Sequence, residues 1–154
     1  MILWLTGQPG SGKTTLAKAF IDFITQENPN TKIINIDGDD LRNISKNQDY
    51  SKKGRIKNIS TAISIVRFLS HKDYICVISI VAPYRFLRDE LKEDFNFLEV
   101  YLHTSEIRGR EDFFAKDYEK PIDPKHLSID TGKLNIKESL DEILNVYRKM
   151  ATLA

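Results

Sequence analysis

The run Gly7-x-x-x-x-Gly12-Lys13-Thr14 follows directly on an apolar stretch, Ile2–Thr6, and leads into a helical pattern. Strand, glycine loop and helix in that order are what a phosphate-binding loop requires. The glycines let the backbone curl until successive N–H groups face phosphate oxygens, while the helix start adds partial positive charge. Gly7, Gly10, Ser11, Gly12 and Thr15 read as the cradle, Lys13 as the cation on the β- and γ-phosphates, and Thr14 as a hydroxyl ligand for Mg²⁺. ATP and Mg²⁺ are the cofactors this implies.

A second constellation lies at Asp37-Gly38-Asp39-Asp40-Leu41-Arg42, just after an apolar run at Lys32–Ile36. Nucleotide-hydrolysing switches place a metal-binding aspartate at the end of an apolar strand. The Tyr74–Val81 run ends instead in Ala82-Pro83. Asp37 and Asp39 are therefore the acids available, one to support the metal and one to orient or deprotonate an attacking hydroxyl. An Asx turn capping a helix is the structural alternative for Asp-Gly-Asp. Arg42 is followed by Arg55 and Asn58, three apart on one helical face, and by Arg85 and Arg88 at the same spacing after Pro83. Together they offer fork-shaped donors for an anionic acceptor.

The elements that must position these residues are short. Four apolar runs have strand length, Ile2–Thr6, Lys32–Ile36, Tyr74–Val81 and Phe97–His103, and a weaker fifth lies at His126–Ile129. They are continuous rather than alternating, as strands covered on both faces are. Helical patterns run from Lys13 to about Gln26, Lys53 to Ser70, Arg85 to Asp94 and Ile136 to Met150. Alternation of the two predicts α/β architecture, three layers α/β/α around a mostly parallel five-stranded sheet. Residues 104–124 are charged and lack periodicity, which suits either a solvated connection or a mobile lid.

The 154 residues suit one domain, 1–154, and 41% hydrophobic with 29% charged residues describes an ordinary soluble protein. A formal charge of +1 shows no global attraction to nucleic acid or to an anionic membrane. The single cysteine, Cys76, excludes an internal disulfide and a cysteine zinc cluster. His71, His103 and His126 show no metal-ligand spacing. No stretch approaches the ~18 apolar residues of a membrane span, and no basic region precedes the first apolar run, so the expected location is the cytoplasm.

Taken in order, these pieces resemble the adenylylsulfate kinase family of P-loop kinases. The resemblance is carried by the loop Gly7-Gln-Pro-Gly-Ser-Gly-Lys-Thr-Thr-Leu-Ala17, by Asp37-Gly-Asp-Asp-Leu-Arg42, and by Tyr50-Ser51 with Arg55 and Asn58. Ala82-Pro-Tyr-Arg85 with Arg88, Glu99-Val-Tyr-Leu, Asp117-Tyr-Glu-Lys-Pro and Ile129-Asp-Thr131 extend it along the chain. It implies transfer of the ATP γ-phosphoryl group to the ribose 3′-hydroxyl of adenosine 5′-phosphosulfate. It further implies Asp39, with Lys13 and Asp37, as the catalytic group, and Thr14 with Asp37 as metal ligands. Arg42, Arg55 and Asn58 would hold the acceptor's 5′ anion, Tyr50 would stack on its base, and Ala82, Pro83 and Arg85 would complete its pocket.

The chain departs from the family between His103 and Asp117. The family's Gly-Leu-Tyr-Lys-Lys-Ala lid element and the Phe-Thr-Gly loop that sandwiches adenine have no counterparts in this shortened stretch, where Phe113, Phe114 and Lys116 stand. The family's paired arginines after Asn58 are Ser60 and Thr61, and its serine before Pro83 is Ala82. ATP use is thus better supported than the acceptor. A 3′-kinase for another nucleotide, such as cytidine diphosphoramidate in capsule biosynthesis, keeps the same logic. An ATP-binding regulatory module leaves the arginines unexplained, and a polynucleotide 5′-hydroxyl kinase would want an extended basic stripe. The expected partner is a nucleotide-like small molecule, with no nucleic acid and no membrane; a homodimer is the candidate assembly, and the oligomeric state is left open.

Overall fold

The computed structural model describes residues 1–153. Its centre is a five-stranded sheet of β1 (Ile2–Thr6), β2 (Ile33–Asp37), β3 (Ile75–Ser79), β4 (Phe97–His103) and β5 (Leu127–Asp130) in the order β2-β3-β1-β4-β5. All four pairings are parallel, so the carboxyl ends of the strands share one edge. Ligands of open parallel sheets bind at that edge.

The helices are α1 (Lys13–Glu27), α2 (Gly38–Ser45), α3 (Lys52–Ser70), α4 (Arg85–Asp89) and α5 (Ile136–Thr152). β1 shows why its run is apolar from Ile2 to Leu5: Ile2 and Trp4 join the core beneath α2, α3 and α4, while Leu3 and Leu5 join the core beneath α1 and α5. Both faces of the strand are covered, so no position is left for a polar residue to meet water. The Phe20 and Tyr147 rings meet edge to face at 5.1 Å and pin α1 to α5.

Most element ends fall within one or two residues of the sequence reading, and three elements beside the site show why the chain departs from it or follows it. β3 stops at Ser79 rather than Val81, because the Val81 carbonyl is taken by the Thr6 hydroxyl and Ala82 turns into the left-handed region at φ 43°. The helix expected over Arg85–Asp94 closes at Asp89, where the backbone continues in single turns. There Lys92 is drawn to Asp89, Glu99 and Asp123. α2 begins with the Asx cap offered as the structural alternative: Asp37 accepts the Asp39 N–H at 2.9 Å, and two acids in the first turn complement the helix N-terminus. No helix among the described residues is long and apolar enough to cross a membrane.

Candidate functional site

β1 delivers the chain at Thr6 into the glycine loop. A Cβ at Gly7 would run into the Leu102 carbonyl, so only glycine lets the loop pass beside β4. Gly12 caps α1 at φ 104°, a left-handed conformation that glycine adopts without strain. Gly7 and Ser11 shape the loop, and Gly10, Gly12, Lys13, Thr14 and Thr15 line the cavity beside it. The Lys13 ammonium lies folded into the loop, donating to the Gly7 carbonyl at 3.0 Å, the Gln8 carbonyl at 2.8 Å and the Ser11 hydroxyl at 3.3 Å. Burial pushes its pKa down from 10.5 to about 7, against the opposing pull of Asp37 and Asp39.

Asp37 joins the loop to the sheet. One carboxylate oxygen caps α2, and the other accepts the Thr14 hydroxyl at 2.8 Å and the Ser79 hydroxyl at 2.9 Å. Ser79 faces Asp37 in the β2–β3 register and holds the β3 strand end where the switches keep their aspartate. The acid has moved one strand over, and a serine supports it. Thr14 and Asp37 present hard oxygen donors side by side at the loop, which fits Mg²⁺, a cation that takes one or two protein oxygens and completes its shell with phosphate and water. The loop's inward curl and buried ammonium likewise fit a polyphosphate.

The same cavity, about 340 Å³, continues away from the loop past Asp39 to Arg42, Tyr50, Arg55 and Asn58. Ala82 and Pro83 form its wall. Five basic side chains line it, Lys13, Arg42, Arg55, Arg108 and Arg110, against the acids Asp37 and Asp39. That balance selects an anionic ligand, although the whole chain is near neutral. Arg42 stacks on the Tyr50 ring, 4.0 Å from its centroid, and donates to the Asn47 and Asp49 carbonyls. Burial lowers its pKa. Arg55 donates to the Tyr50 carbonyl at 3.0 Å and the Phe113 carbonyl at 3.1 Å. It thereby ties two aromatic segments far apart in sequence. The Tyr50 and Phe113 rings lie 6.0 Å apart at 55°. Phe113 lines the cavity, whereas Phe114 does not.

Arg108, Arg110 and Ala115, from the segment 104–124, lie against the loop at Gly10 and Gln8. Arg108 donates to the Gly10 carbonyl at 2.9 Å and to the Thr131 hydroxyl and carbonyl. Behind it a groove of about 540 Å³ runs between Gly12, Thr15, Arg108, Thr131, Leu134 and Asn135, open to the far side of the loop.

Arg85 and Arg88 are not in the cavity. Arg85 donates to the Lys120 carbonyl and pairs with Glu119, because α4 begins beyond the cavity wall and turns this side chain outward. Arg88 is fully buried, bonded to Glu99 at 2.8 Å and to the Ala82 and Glu119 carbonyls, each at 2.6 Å. Its donors hold the wall in place. Ser79 and Gln8 are site residues that sequence reasoning missed, since each is recognisable only by a partner distant in the chain.

A glycine loop around a buried ammonium, opening on one side to an arginine-lined cavity, fits the working arrangement of a P-loop kinase. The sequence profile of the family described as adenylylsulphate kinase matches residues 1–124, and the chain belongs to that family. It is 29% identical over 167 aligned positions to the adenylyl-sulfate kinase of Lactiplantibacillus plantarum, covering 94% of this chain and 79% of that one. The crystal structure of APE1195 superposes with a TM-score of 0.80 at 25% identity over 97% and 96% of the two chains. The Mycobacterium tuberculosis APS kinase in complex with AMPPNP and APS shares the fold, with a TM-score of 0.77 at 18% identity over 96% of each chain. The protein is an ATP-dependent kinase of this nucleotide-kinase type.

Proposed function

We propose that the enzyme transfers the γ-phosphoryl group of ATP to the ribose 3′-hydroxyl of a nucleotide with an anionic 5′ substituent, adenosine 5′-phosphosulfate being the first candidate. The observation that carries this reading is one continuous cavity with the buried Lys13 and the Thr14–Asp37 pair at one end and Arg42, Tyr50 and Arg55 at the other. Asp39 lines it between the two ends.

Lys13 would meet the transferring phosphoryl oxygens, and Arg108 and Arg110 would face them from above. Asp39 would orient the acceptor hydroxyl and take its proton. Thr14 and Asp37 would hold Mg²⁺, which neutralises charge on the phosphate oxygens when bound. The groove beside Thr131 and Asn135 suits the donor's base. Arg42, Arg55 and Asn58 would receive the 5′ anion, and Tyr50 with Phe113 the acceptor's base. Because the transferring group needs little covalent help, positioning and charge are what such a site contributes.

A second acceptor is favoured by one observation. Tyr50 and Phe113 are tilted at 55° rather than parallel, and Phe113 stands in a lid without the family's Phe-Thr-Gly loop. That supports a nucleotide with a different base or terminal group, such as cytidine diphosphoramidate. Acceptor-dependent ADP release across adenosine 5′-phosphosulfate, cytidine diphosphoramidate and other nucleoside diphosphate derivatives decides. Strong dependence on one of them is expected, and equal inactivity on all would sink the nucleotide 3′-kinase reading. A homodimer is the simplest assembly to test alongside, by light scattering.

A further inference from the structure

The reading above leaves Gln8, the second residue of the loop, without a task, yet its side chain is fully engaged. Its Nε2 donates to the Ala115 carbonyl at 2.8 Å and its Oε1 accepts the Ala115 N–H at 2.9 Å. Both ends of one amide thus bond both backbone groups of one residue, as a neighbouring strand would. Ala115 is buried within a lid segment whose neighbours from Ser105 to Asp117 are exposed. Its methyl group offers little to pack. The backbone of Gln8 faces the other way, its carbonyl accepting from Lys13 at 2.8 Å and from the Ser11 N–H at 3.2 Å. Phe113, two residues before Ala115, has its carbonyl on Arg55 and its ring beside Tyr50.

We propose that Gln8 is a positioning residue that registers the lid on the phosphate loop, so that Phe113 is presented to the acceptor only where the loop around Lys13 is in order. The consequence for the acceptor rests on the kinase reading above, whereas the attachment itself does not. Leucine at position 8 has similar bulk but leaves the buried Ala115 N–H without a partner and its carbonyl with only the Tyr118 N–H at 3.3 Å, which favours release of the segment to water. Glutamate accepts the N–H and, once protonated, can also donate to the carbonyl. Asparagine is one methylene too short to span the gap.

The test uses hydrogen exchange of the full chain, read on the peptide containing Ala115 and corrected for intrinsic rates. Gln8→Leu and Gln8→Asn are expected to lose about tenfold in protection there, with the protection of β1 and β4 kept. Gln8→Glu is expected to be deprotected at pH 8 and to recover as the pH falls through the glutamate range near ~4.3. A residue that merely filled space would show no such recovery. With the acceptor that the panel identifies, KM in Gln8→Leu rises about tenfold while kcat stays within twofold, because fewer molecules hold the competent lid. Wild-type protection in Gln8→Leu overturns the proposal, as does lost protection with an unchanged acceptor KM. If the panel finds no acceptor, the kinase reading falls, and the exchange experiment still decides whether Gln8 holds the lid.

Discussion

If Lys13 meets the donor phosphates as proposed, burial of its ammonium should make nucleotide binding a proton-coupled event. With its pKa lowered from 10.5 to about 7, the side chain of the free protein is largely neutral at pH 8, whereas a bound polyphosphate favours the charged form. Binding at that pH should therefore take up close to one proton. Above pH 7 the affinity for ATP with Mg²⁺ should fall toward tenfold per unit. The sign is opposite for the stability of the free fold. The unfolded chain keeps this proton up to about 10.5 and the folded chain loses it near 7, so the cost of burial is full below pH 7 and fades as the pH rises. Calorimetry in two buffers of different protonation enthalpy measures the uptake; finding none would contradict this account, and Lys13→Arg, which stays charged, should abolish it. The loop residues were legible because a contiguous stretch of backbone makes the cradle. Ser79 and Gln8 were not, because their roles exist only through Asp37 and Ala115.

At the scale of elements, α2 depends on Asp37 in a way that separates the two acids of the Asp37-Gly38-Asp39 turn. Asp37 caps α2 and accepts from Thr14 and Ser79, while Asp39 is exposed at the cavity. Asp37→Ala should lower stability by about 1–2 kcal/mol and abolish most activity. Asp39→Ala should leave the unfolding temperature within about a degree. Its turnover should nevertheless fall by roughly 10²–10⁴. Thermal unfolding beside acceptor-dependent ADP release measures both, and equal stability losses would contradict the division of labour. The helical periodicity passes over α2, whose glycine and aspartates are weak helix formers, although the Asx cap at Asp37 was legible; the cap outweighs propensity over so short a helix. α4 erred the other way, since the apolar spacing of Phe86, Leu87 and Leu91 continues past the point where Lys92 is pulled toward Glu99.

Across the whole molecule, Arg88 joins parts that the sequence keeps apart. It links Glu99 on β4, the Ala82 carbonyl on the cavity wall and the Glu119 carbonyl at the end of the lid, with its guanidinium 5.6 Å from the Tyr118 ring. Removing Arg88 leaves Glu99 with Lys92 as its remaining partner and strips the Ala82 and Glu119 carbonyls of their donor, a loss at the lower end of the about 3–5 kcal/mol typical of a broken buried ion pair. Arg88→Ala should therefore lower the unfolding temperature by on the order of 10 °C, where Arg85→Ala, on an exposed pair, should lower it by no more than about 2 °C. Equal shifts in a melting experiment would return Arg88 to the ranks of surface arginines. Spacing alone made the two look equivalent, and burial is what distinguishes them.

The amino-acid sequence by itself determined the phosphate loop, the parallel α/β plan and the kinase class, because each is written in contiguous residues or in local periodicity. Only the tertiary structure decided which arginines face the cavity, that Asp37 is held between Thr14 and Ser79, that Phe113 comes to stand beside Tyr50, and that Gln8 reaches Ala115. Those outcomes depend on which segments the sheet order brings to one edge, and side chains 23 to 107 residues apart carry no mutual signature until the backbone places them within hydrogen-bonding reach.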